Sequence, residues 1–387
     1  KILADTITPV SVYLKVRDQF PASILLESSD YHANDNSFSY ICCNPIAWIS
    51  VEHNKIRRVY PDGTQQTDEI TQDTDLAMEI HHFAGAFKVE DHGYKFINNG
   101  LFGFMTYDAV RFFEDIDIQK KPDSPAIPDA YYAVYQNIIA IDHFKNEAYL
   151  FAHCFDQQNN LEVLEQILAV QTFATYPFER EGEKESNLRD EEFLEQVALA
   201  KKHCARGDVF QLVLSRRFRQ QFKGDEFNVY RALRSINPSP YLFYFDYGDF
   251  KIFGSSPEAQ LVVKDGKAEI HPIAGTFKRT GNDPEDAALA QRLAVDEKEN
   301  SEHVMLVDLA RNDLSRNGNS VQVETYREVQ FFSHVIHLVS KVTGKIKKGI
   351  PTMKVVADTF PAGTLSGAPN IERKINISNL HRKKGDR

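Results

Sequence analysis

The stretch DEKENSEHVMLVDLARNDLSR, residues 296–316, places apolar residues at helical spacing with two glutamates on the same side. One apolar stripe of a predicted helix is defined by Met305, Leu306, Leu309 and Ala310. Glu299 and Glu302 extend that stripe, and their spacing of three residues makes their carboxylates neighbours. Two like charges facing a core need compensation by a divalent cation, a shared proton or an arginine. Alternatively, the first turn lies in water, where acidic side chains favour the helix dipole.

The composition is that of an ordinary globular protein. The 387 residues are 42% hydrophobic and 26% charged, and the formal net charge is −10, which suits two or three domains. The acidic balance argues against nucleic-acid binding. No apolar run approaches the roughly 20 residues of a membrane span. The four cysteines lack metal-binding or disulfide spacing, which favours a reduced, cytoplasmic protein.

The chain is predicted to contain two strand-rich regions. Residues 1–177 alternate strand-like runs with turn signals and predict an N-terminal domain. Residues 178–190 are charged and lack periodicity, which predicts a linker. Residues 191–369 predict a second domain, and the basic segment 370–387 predicts a disordered or weakly helical tail. Because strands and helices are grouped, the pattern favours an α+β fold with antiparallel sheets.

Two glycine-containing segments are suited to a small anionic ligand. In HPIAGTFKR, residues 271–279, Gly275 and Thr276 offer either a close backbone approach to a carboxylate or an ordinary strand-to-loop bend. PAGTLSGAP, residues 361–369, contains Thr364 and indicates either an anion-binding nest or a plain turn. It lacks the Gly-Lys-Ser/Thr ending of a phosphate loop, which argues against nucleotide binding.

Two apolar segments carry single polar residues. Residues 208–218, DVFQLVLSRRF, predict one strand in which Gln211 is either an inward-facing hydrogen-bonding group or part of a solvated face. Residues 333–344, SHVIHLVSKVTG, predict a strand with His337 and Val335 on one face. Such a histidine is either a satisfied core residue or a catalyst, and spacing identifies no nucleophile–histidine set.

Taken together and in order, these segments resemble the chorismate-utilising enzymes. The resemblance is carried by GDVFQLVLSRRF, NPSPYLFY, GSSPEAQLVV, PIAGTFKR, DEKENSEHVMLVDLARND, SHVIHLVS and PAGTLSGAP. With LLES near the start, the chain resembles anthranilate synthase component I over about residues 5–369. The resemblance implies that family's fold, and the Mg2+-dependent conversion of chorismate and ammonia to anthranilate and pyruvate. It also implies a hetero-oligomer in which a separate glutamine amidotransferase subunit, component II, supplies the ammonia.

The resemblance assigns roles to individual positions. The matching residues are Glu299 and Glu302 for Mg2+, Gly275 and Thr276 for chorismate, and His337, Thr364 and Gln211 for catalysis. By this resemblance His337 is a general acid or proton carrier near the departing C4 hydroxyl of chorismate. The cation would hold a chorismate carboxylate and draw charge from the same leaving group.

Two positions distinguish the subfamilies. Relatives that add water, the isochorismate and salicylate synthases, carry a lysine base where Gln211 stands. Relatives that make aminodeoxychorismate carry a nucleophilic lysine where Ala274 stands. Because glutamine cannot deprotonate water and alanine cannot form an adduct, the sequence favours anthranilate synthase over aminodeoxychorismate synthase component I or an isochorismate synthase.

The segments LLES and NPSPY resemble the family's feedback site for L-tryptophan. The matching residues are Glu27, Ser28, Pro240, Tyr241 and Leu242. The resemblance places Glu27 near the ammonium group of the amino acid and implies that tryptophan inhibits the enzyme. Residues from both predicted domains would form this site and could couple it to the active site.

We expect the resemblance to end at Pro369. The family continues with a second glutamate pair, an arginine and a glycine-rich turn, which NIERKINISNLHRKKGDR does not contain. This predicts a C-terminally truncated, frame-shifted or natively short form of the fold with an incomplete metal shell. It also keeps open a hypothesis of another class, a catalytically inactive protein that binds tryptophan or a partner.

Overall fold

The structure is a computed structural model that describes residues 1–28, 37–90, 92–116, 118, 124–155 and 159–368. The described residues form two compact units. Unit 1 lies within Lys1–Ala109, Pro122–Pro177 and Gly224–Pro257, and unit 2 within Val110–Lys121, Phe178–Lys223 and Glu258–Arg387. The predicted tail 370–387 falls outside the described residues. In the described ranges, every helix is too short or too polar to cross a membrane.

The elements mix strands and helices along the chain. The strands are β1 (Ile2–Leu3), β2 (Ile24–Glu27), β3 (Phe38–Glu52), β4 (Lys55–Val59), β5 (Gln65–Glu69), β6 (Phe102–Met105), β7 (Ala130–Asp142), β8 (Glu147–Ala152), β9 (Phe178–Ser186), β10 (Gln211–Leu212), β11 (Phe218–Gly224), β12 (Tyr241–Asp246), β13 (Lys251–Ser256), β14 (Val262–Lys264), β15 (Lys267–Ile270), β16 (Ile273–Lys278), β17 (Gly318–Phe331), β18 (Val335–Ile346) and β19 (Gly367–Ala368). The helices are α1 (Pro9–Val16), α2 (Leu76–Gly85), α3 (Leu161–Ala169), α4 (Asp190–Arg206), α5 (Phe227–Ile236), α6 (Asp283–Val295), α7 (Glu297–Asn317), α8 (Thr352–Asp358) and α9 (Gly363–Ser366), with a 3-10 helix at Tyr107–Phe112.

Unit 1 is built on one antiparallel sheet. Its strand order is β1-β8-β7-β3-β2-β12-β13, with β4 beside β3, β5 beside β4 and β6 beside β7. Helices α1, α3 and α5 cover one face, where Leu25 and Tyr244 are buried. Ile24 and Phe245 belong to a separate cluster, because successive side chains of a strand alternate between faces.

Unit 2 centres on strand β18. This strand pairs antiparallel with β15 and β16, and also with β17. Helix α7 packs Val307, Ala310 and Leu314 against Val342 of β18, while Leu293 of α6 packs against Ile336 and Leu338. The long helix predicted from the opening stretch therefore lies against this sheet, and the α+β fold class with antiparallel sheets is confirmed.

The predicted linker at 178–190 was wrong. Strand β9 occupies Phe178–Ser186 and forms a two-stranded ribbon with β11, and α4 begins at Asp190. Most residues of β9 are exposed, so neither face needs the apolar alternation that marks a half-buried strand. Phe178 does pack on Phe222 of β11, with ring centroids 5.4 Å apart.

The single strand predicted at 208–218 was also wrong. Only Gln211 and Leu212 form β10, which pairs with the equally short β19, and β11 starts at Phe218. An apolar run without a long partner strand cannot extend its ladder of backbone hydrogen bonds.

The prediction of two domains that follow one another in the sequence was wrong, because each structural unit is made of separate segments of the chain. Residues 224–257 belong to unit 1 although they follow β9 in the chain, and the described residues 110–116 and 118 belong to unit 2. Residues 224–257 join unit 1 because of strand pairing. Their strand β12 hydrogen-bonds to β2 from Ile24 to Glu27. Periodicity identifies a strand but not the distant strand with which it pairs.

Four alternating charges on the unit 2 sheet predict a pH-dependent contribution to stability. Lys267 Nζ lies 2.5 Å from Glu324 Oε1, and Lys341 Nζ contacts both Glu324 and Glu269, at 3.4 and 3.0 Å. The hydrogen bond from Lys267 lowers the pKa of Glu324 to about 2. A carboxyl group whose folded pKa is depressed stabilises the fold above its unfolded pKa, and this stability is lost as the pH falls.

We therefore expect the urea midpoint to fall as the pH drops from about 4.5 towards about 2, the window between the ordinary and the lowered pKa of Glu324. Glu324→Gln should make the urea midpoint depend less steeply on pH within this window. Glu328→Gln, an exposed glutamate of the same strand outside the charge cluster, is the control and should leave the slope unchanged. Parallel slopes for wild type and Glu324→Gln would contradict the expectation.

Candidate active site

A bulge in strand β16 shapes the centre of the site. The register with β18 pairs Ala274 with Leu338 and Thr276 with His337, so Gly275 is the extra residue. Gly275 has φ +73°, and an added Cβ would lie 3.3 Å from Leu338 Cδ1 and 3.4 Å from Glu299 Cβ. Both the backbone conformation and the crowding require glycine here.

The bulge brings together four of the residues implied by the family resemblance. The Thr276 N–H donates to Glu299 Oε2, with N and O 3.2 Å apart. Thr276 Oγ1 lies 3.1 Å from His337 Nδ1, and the same nitrogen lies 3.2 Å from the Gly275 carbonyl oxygen. Gly275, Thr276, Glu299 and His337 therefore form one contact group, which we call the bulge cluster.

The contacts of His337 define which ring nitrogen is available. The Gly275 carbonyl can only accept, so Nδ1 carries the proton and donates to it. Among the described residues Nε2 has no hydrogen-bond partner. Burial lowers the pKa of His337, and the bond to Gly275 partly opposes that shift. A lower pKa makes the imidazolium a stronger acid, and the ring also packs edge-on against Phe332 at 5.2 Å.

Glu299 and Glu302 both lie in the first two turns of helix α7. Asp296 caps the helix by accepting from the Glu299 N–H at 3.0 Å. The Glu299 side chain is 17% exposed, and its other oxygen, Oε1, lies 3.5 Å from Lys298 Nζ. Glu302 is half-buried, and within the described ranges its carboxylate has neither a hydrogen bond nor an ion pair. The two carboxylates are thus neither fully exposed to water nor fully paired with positive charge.

This donor set fits Mg2+ that is bound jointly with a ligand. Oxygen donors suit Mg2+, which usually takes one or two carboxylates and completes its shell with water and substrate oxygens. Glu299 and Glu302 supply those carboxylates, three residues apart on one helix. The described residues hold no group of three or more His, Cys, Asp or Glu side chains placed around a metal, so an all-protein cage is not formed here.

Gln211 meets the described end of the 361–369 loop across a short strand pair in unit 2. Gln211 pairs with Ala368 across the β10–β19 ladder, and a Cβ on Gly367 would lie 2.1 Å from the Gln211 carbonyl oxygen. The Gln211 Oε1 atom is buried and has no hydrogen-bond partner in the described part of the chain. Thr364 belongs to α9, but its side chain and all of Pro369 lie outside the described residues.

The residues assigned to tryptophan gather in unit 1. Glu27 pairs with Leu242 across β2 and β12, and Ser28 and Tyr241 adjoin them in sequence, with Pro240 next. The Glu27 side chain is 2% exposed. Its carboxylate accepts from Tyr230 Oη at 2.6 Å and from Arg234 Nε at 3.0 Å. All five assigned residues belong to unit 1, so the prediction that both domains build the site was wrong.

The strand geometry separates two of the assigned side chains. Directly paired residues share a face, so Leu242 and Glu27 lie together. Tyr241 precedes Leu242 in the same strand and therefore occupies the opposite face, where it is 45% exposed. Arg234 and Tyr230 of α5 are functional candidates that sequence reasoning missed. Their spacing of four residues on one helix face was the available signal.

Comparison with known proteins identifies the family. The family model described as chorismate binding enzyme matches residues 27–381. Anthranilate synthase component 1 of Aquifex aeolicus is 35% identical over 98% of this chain and 79% of its own length. The Acinetobacter calcoaceticus protein of that name is 36% identical over 95% and 78%. The expectation that resemblance ends at Pro369 was wrong, because the family match continues to residue 381.

Solved structures support the same conclusion. Anthranilate synthase component I from Streptococcus pneumoniae is 31% identical and superimposes with a TM-score of 0.75, covering 98% of this chain and 84% of that one. The menaquinone-specific isochorismate synthase MenF of Escherichia coli has a TM-score of 0.67 at 15% identity, covering 98% and 76%, which shows a shared fold alone. The chain belongs to the chorismate binding enzymes, as a relative of anthranilate synthase component 1.

Proposed function

We propose that this chain is the large subunit of an anthranilate synthase, which converts chorismate and ammonia to anthranilate and pyruvate. The observation that carries the proposal is the bulge cluster, in which Thr276 contacts both Glu299 and His337. The relatives named anthranilate synthase component 1 support the choice of reaction. Free cysteines, two of them exposed, suit the cytoplasmic location that we also propose.

The bulge is suited to a carboxylate substrate such as chorismate. Because Gly275 lacks a Cβ, its backbone packs closely against Leu338 and Glu299, which brings the Glu299 side chain to the bulge. The Thr276 N–H and hydroxyl are both polar groups of the cluster. We propose that the hydroxyl orients a chorismate carboxylate towards a cation held by Glu299 and Glu302, while the N–H keeps its bond to Glu299.

His337 is proposed to protonate the leaving hydroxyl at C4 of chorismate. Its Nδ1–H is held by the Gly275 carbonyl, so the proton would be donated from Nε2. Because burial lowers the pKa of His337, the protonated ring gives up its proton more readily than a solvent-exposed imidazolium. Ammonia adds to the ring, hydroxide leaves as water with this proton, and pyruvate elimination then makes the ring aromatic.

Glu299 and Glu302 would hold Mg2+ together with substrate oxygens. When bound, the cation supplies Lewis-acid stabilisation of the negative charge on the substrate. The Glu299 carboxylate is already oriented for this task by the Thr276 N–H, while the Asp296 cap fixes the start of the helix that carries it. A preorganised carboxylate avoids the cost of reorientation during the reaction.

Ammonia is the proposed nucleophile because the site lacks the lysines required by related reactions. Gln211 cannot act as a base towards water, and its buried Oε1 can accept a hydrogen bond. Ala274 is 6% exposed and cannot form a covalent adduct. Since ammonia must reach the site unprotonated, we propose a hetero-oligomer in which a separate glutamine amidotransferase subunit delivers it.

L-Tryptophan is the proposed inhibitor, bound beside Glu27 in unit 1. The support is the pairing of Glu27 with Leu242, which joins the LLES and NPSPY segments. A buried carboxylate is a strong partner for an ammonium group, because their attraction is weakly screened there. In the structure Arg234 forms an ion pair with this carboxylate. The ammonium group of the ligand would therefore share the carboxylate with Arg234 or displace it.

The decisive experiment measures anthranilate fluorescence from the purified chain with chorismate, Mg2+ and excess ammonium at mildly alkaline pH. We expect anthranilate to form, and its formation to stop with EDTA and resume with added Mg2+. Gln211→Lys should divert product towards the water adduct. Isochorismate from the wild type, or no turnover of chorismate by a chain shown to be folded, would overturn the proposed function.

A further inference from the structure

A fully buried histidine lies directly beside the proposed metal ligands without being one of them. His303 of α7 is 0% exposed and follows Glu302 in the sequence. It comes four residues after Glu299, so the two side chains are about 40° apart around the helix axis at 3.6 residues per turn. His303 and Glu299 therefore share a helix face.

Among the described residues His303 makes one polar contact, and that contact reaches β18, the strand that carries His337. Its Nε2 lies 2.6 Å from Ser340 Oγ, and Ser340 is 0% exposed on β18, three residues beyond His337. The other ring nitrogen, Nδ1, has no hydrogen-bond partner among the described residues. The Ser340 bond is thus the single polar anchor of this ring within that part of the chain.

Ser340 is itself held in place by a second bond. Its Oγ accepts from the Arg327 N–H at 2.9 Å, and Arg327 adopts φ +57° within an irregular part of β17. Arg327 Nη2 donates to the Ala294 carbonyl at 2.8 Å, which Asn300 Nδ2 also reaches at 3.1 Å. The network therefore joins α6, α7, β17 and β18, and His303 and Ser340 are its fully buried members.

We propose that His303 is a positioning residue, which fixes the rotation of α7 on β18 so that Glu299 and Glu302 face the bulge cluster. A helix packed by apolar contacts alone can rotate or slide at low cost, whereas a buried hydrogen bond has one preferred geometry. Rotating α7 would move Glu299 away from the Thr276 N–H, to which it is bonded at 3.2 Å. The metal role of the glutamates rests on the proposed function.

Core packing alone does not account for a histidine at this position. A leucine would fill a similar volume without burying a polar ring, and an unsatisfied buried polar atom costs about 1–3 kcal/mol. Partners that orient metal-binding side chains typically change metal affinity by about 10–100-fold when removed. A residue that only packs would alter stability without altering the affinity for a cation.

The test compares Mn2+ binding, followed by electron paramagnetic resonance, with thermal stability. The variants are His303→Leu, Ser340→Ala, the double variant and His303→Gln, whose amide can reach the position of Nε2. The control is Asn317→Ala, which removes the 2.7 Å bond from Asn317 to Asp358 at the other end of α7. That change also removes a buried polar contact of the same helix.

We expect His303→Leu and Ser340→Ala each to raise the Mn2+ dissociation constant about tenfold. The double variant should be no worse than Ser340→Ala, because that change already removes the His303–Ser340 bond. His303→Gln should stay within about threefold of wild type, since it can restore the hydrogen bond. Asn317→Ala should lower the melting temperature without changing Mn2+ affinity.

Wild-type Mn2+ affinity in Ser340→Ala, or an equal loss of affinity in Asn317→Ala, would overturn the positioning role. So would an absence of Mn2+ binding in the wild-type chain. Failure of the proposed function has a different signature. In that case Mn2+ affinity responds to His303 and Ser340 as expected, but the folded wild-type chain forms no anthranilate.

Discussion

Replacing His337 with alanine is expected to lower kcat for anthranilate formation by about 10²–10⁴-fold, the usual contribution of a positioned general acid or base. The reason is that Nε2 is the one ring nitrogen left available once Nδ1–H is bonded to Gly275. Alanine provides no proton for the leaving hydroxyl. The KM for chorismate should change less than kcat, because Thr276 and Glu299 keep their own contact.

His334→Ala is the matched control for this variant. His334 lies three residues earlier and is exposed, so its loss should leave kcat within about twofold of wild type, as for most exposed substitutions. Anthranilate fluorescence at saturating chorismate and ammonium measures both variants. If His337→Ala retained wild-type kcat, the histidine would be a packing partner of Phe332, and another group would have to supply the proton.

Much of the fold could be predicted from local sequence patterns, because most helices and strands have an apolar period or turn residues of their own. The helix predicted in the 296–316 stretch is observed as α7, Glu297–Asn317, and the strand predicted in 333–344 is observed as β18, Val335–Ile346. In each case apolar period and turn residues are local properties. Exposed β9 was missed because a ribbon solvated on both faces imposes no such period.

The site depended on information that local patterns do not contain. Thr276 and His337 are far apart in sequence, and only the β16–β18 register with its bulge makes them neighbours. The family resemblance supplied their association, but not the bond from Thr276 to Glu299. The sequence did not identify partners such as Arg234 and Ser340, because the role of an arginine or serine becomes clear only once its neighbours are known.

Glu27→Gln is expected to raise the tryptophan concentration for half-inhibition about hundredfold, the scale of losing one partner of a buried charge pair. Glu27 carries a 2%-exposed carboxylate, so a ligand ammonium there is poorly screened by water. Glutamine keeps the shape and can still accept from Tyr230, which lies 2.6 Å away. It removes the charge that would attract the ligand, while turnover without tryptophan should persist because the bulge cluster belongs to unit 2.

The same substitution should also cost stability, and the control separates the two effects. Losing the contact with Arg234, whose side chain is 33% exposed, should lower the free energy of unfolding by about 2 kcal/mol after allowance for screening. Glu226→Gln alters another carboxylate of unit 1, which accepts from Tyr244 at 3.0 Å and contacts Lys251 at 3.6 Å. It should destabilise the protein while retaining inhibition. Wild-type inhibition in Glu27→Gln would place the ammonium of tryptophan away from Glu27 and leave the Glu27–Arg234 pair a purely structural role.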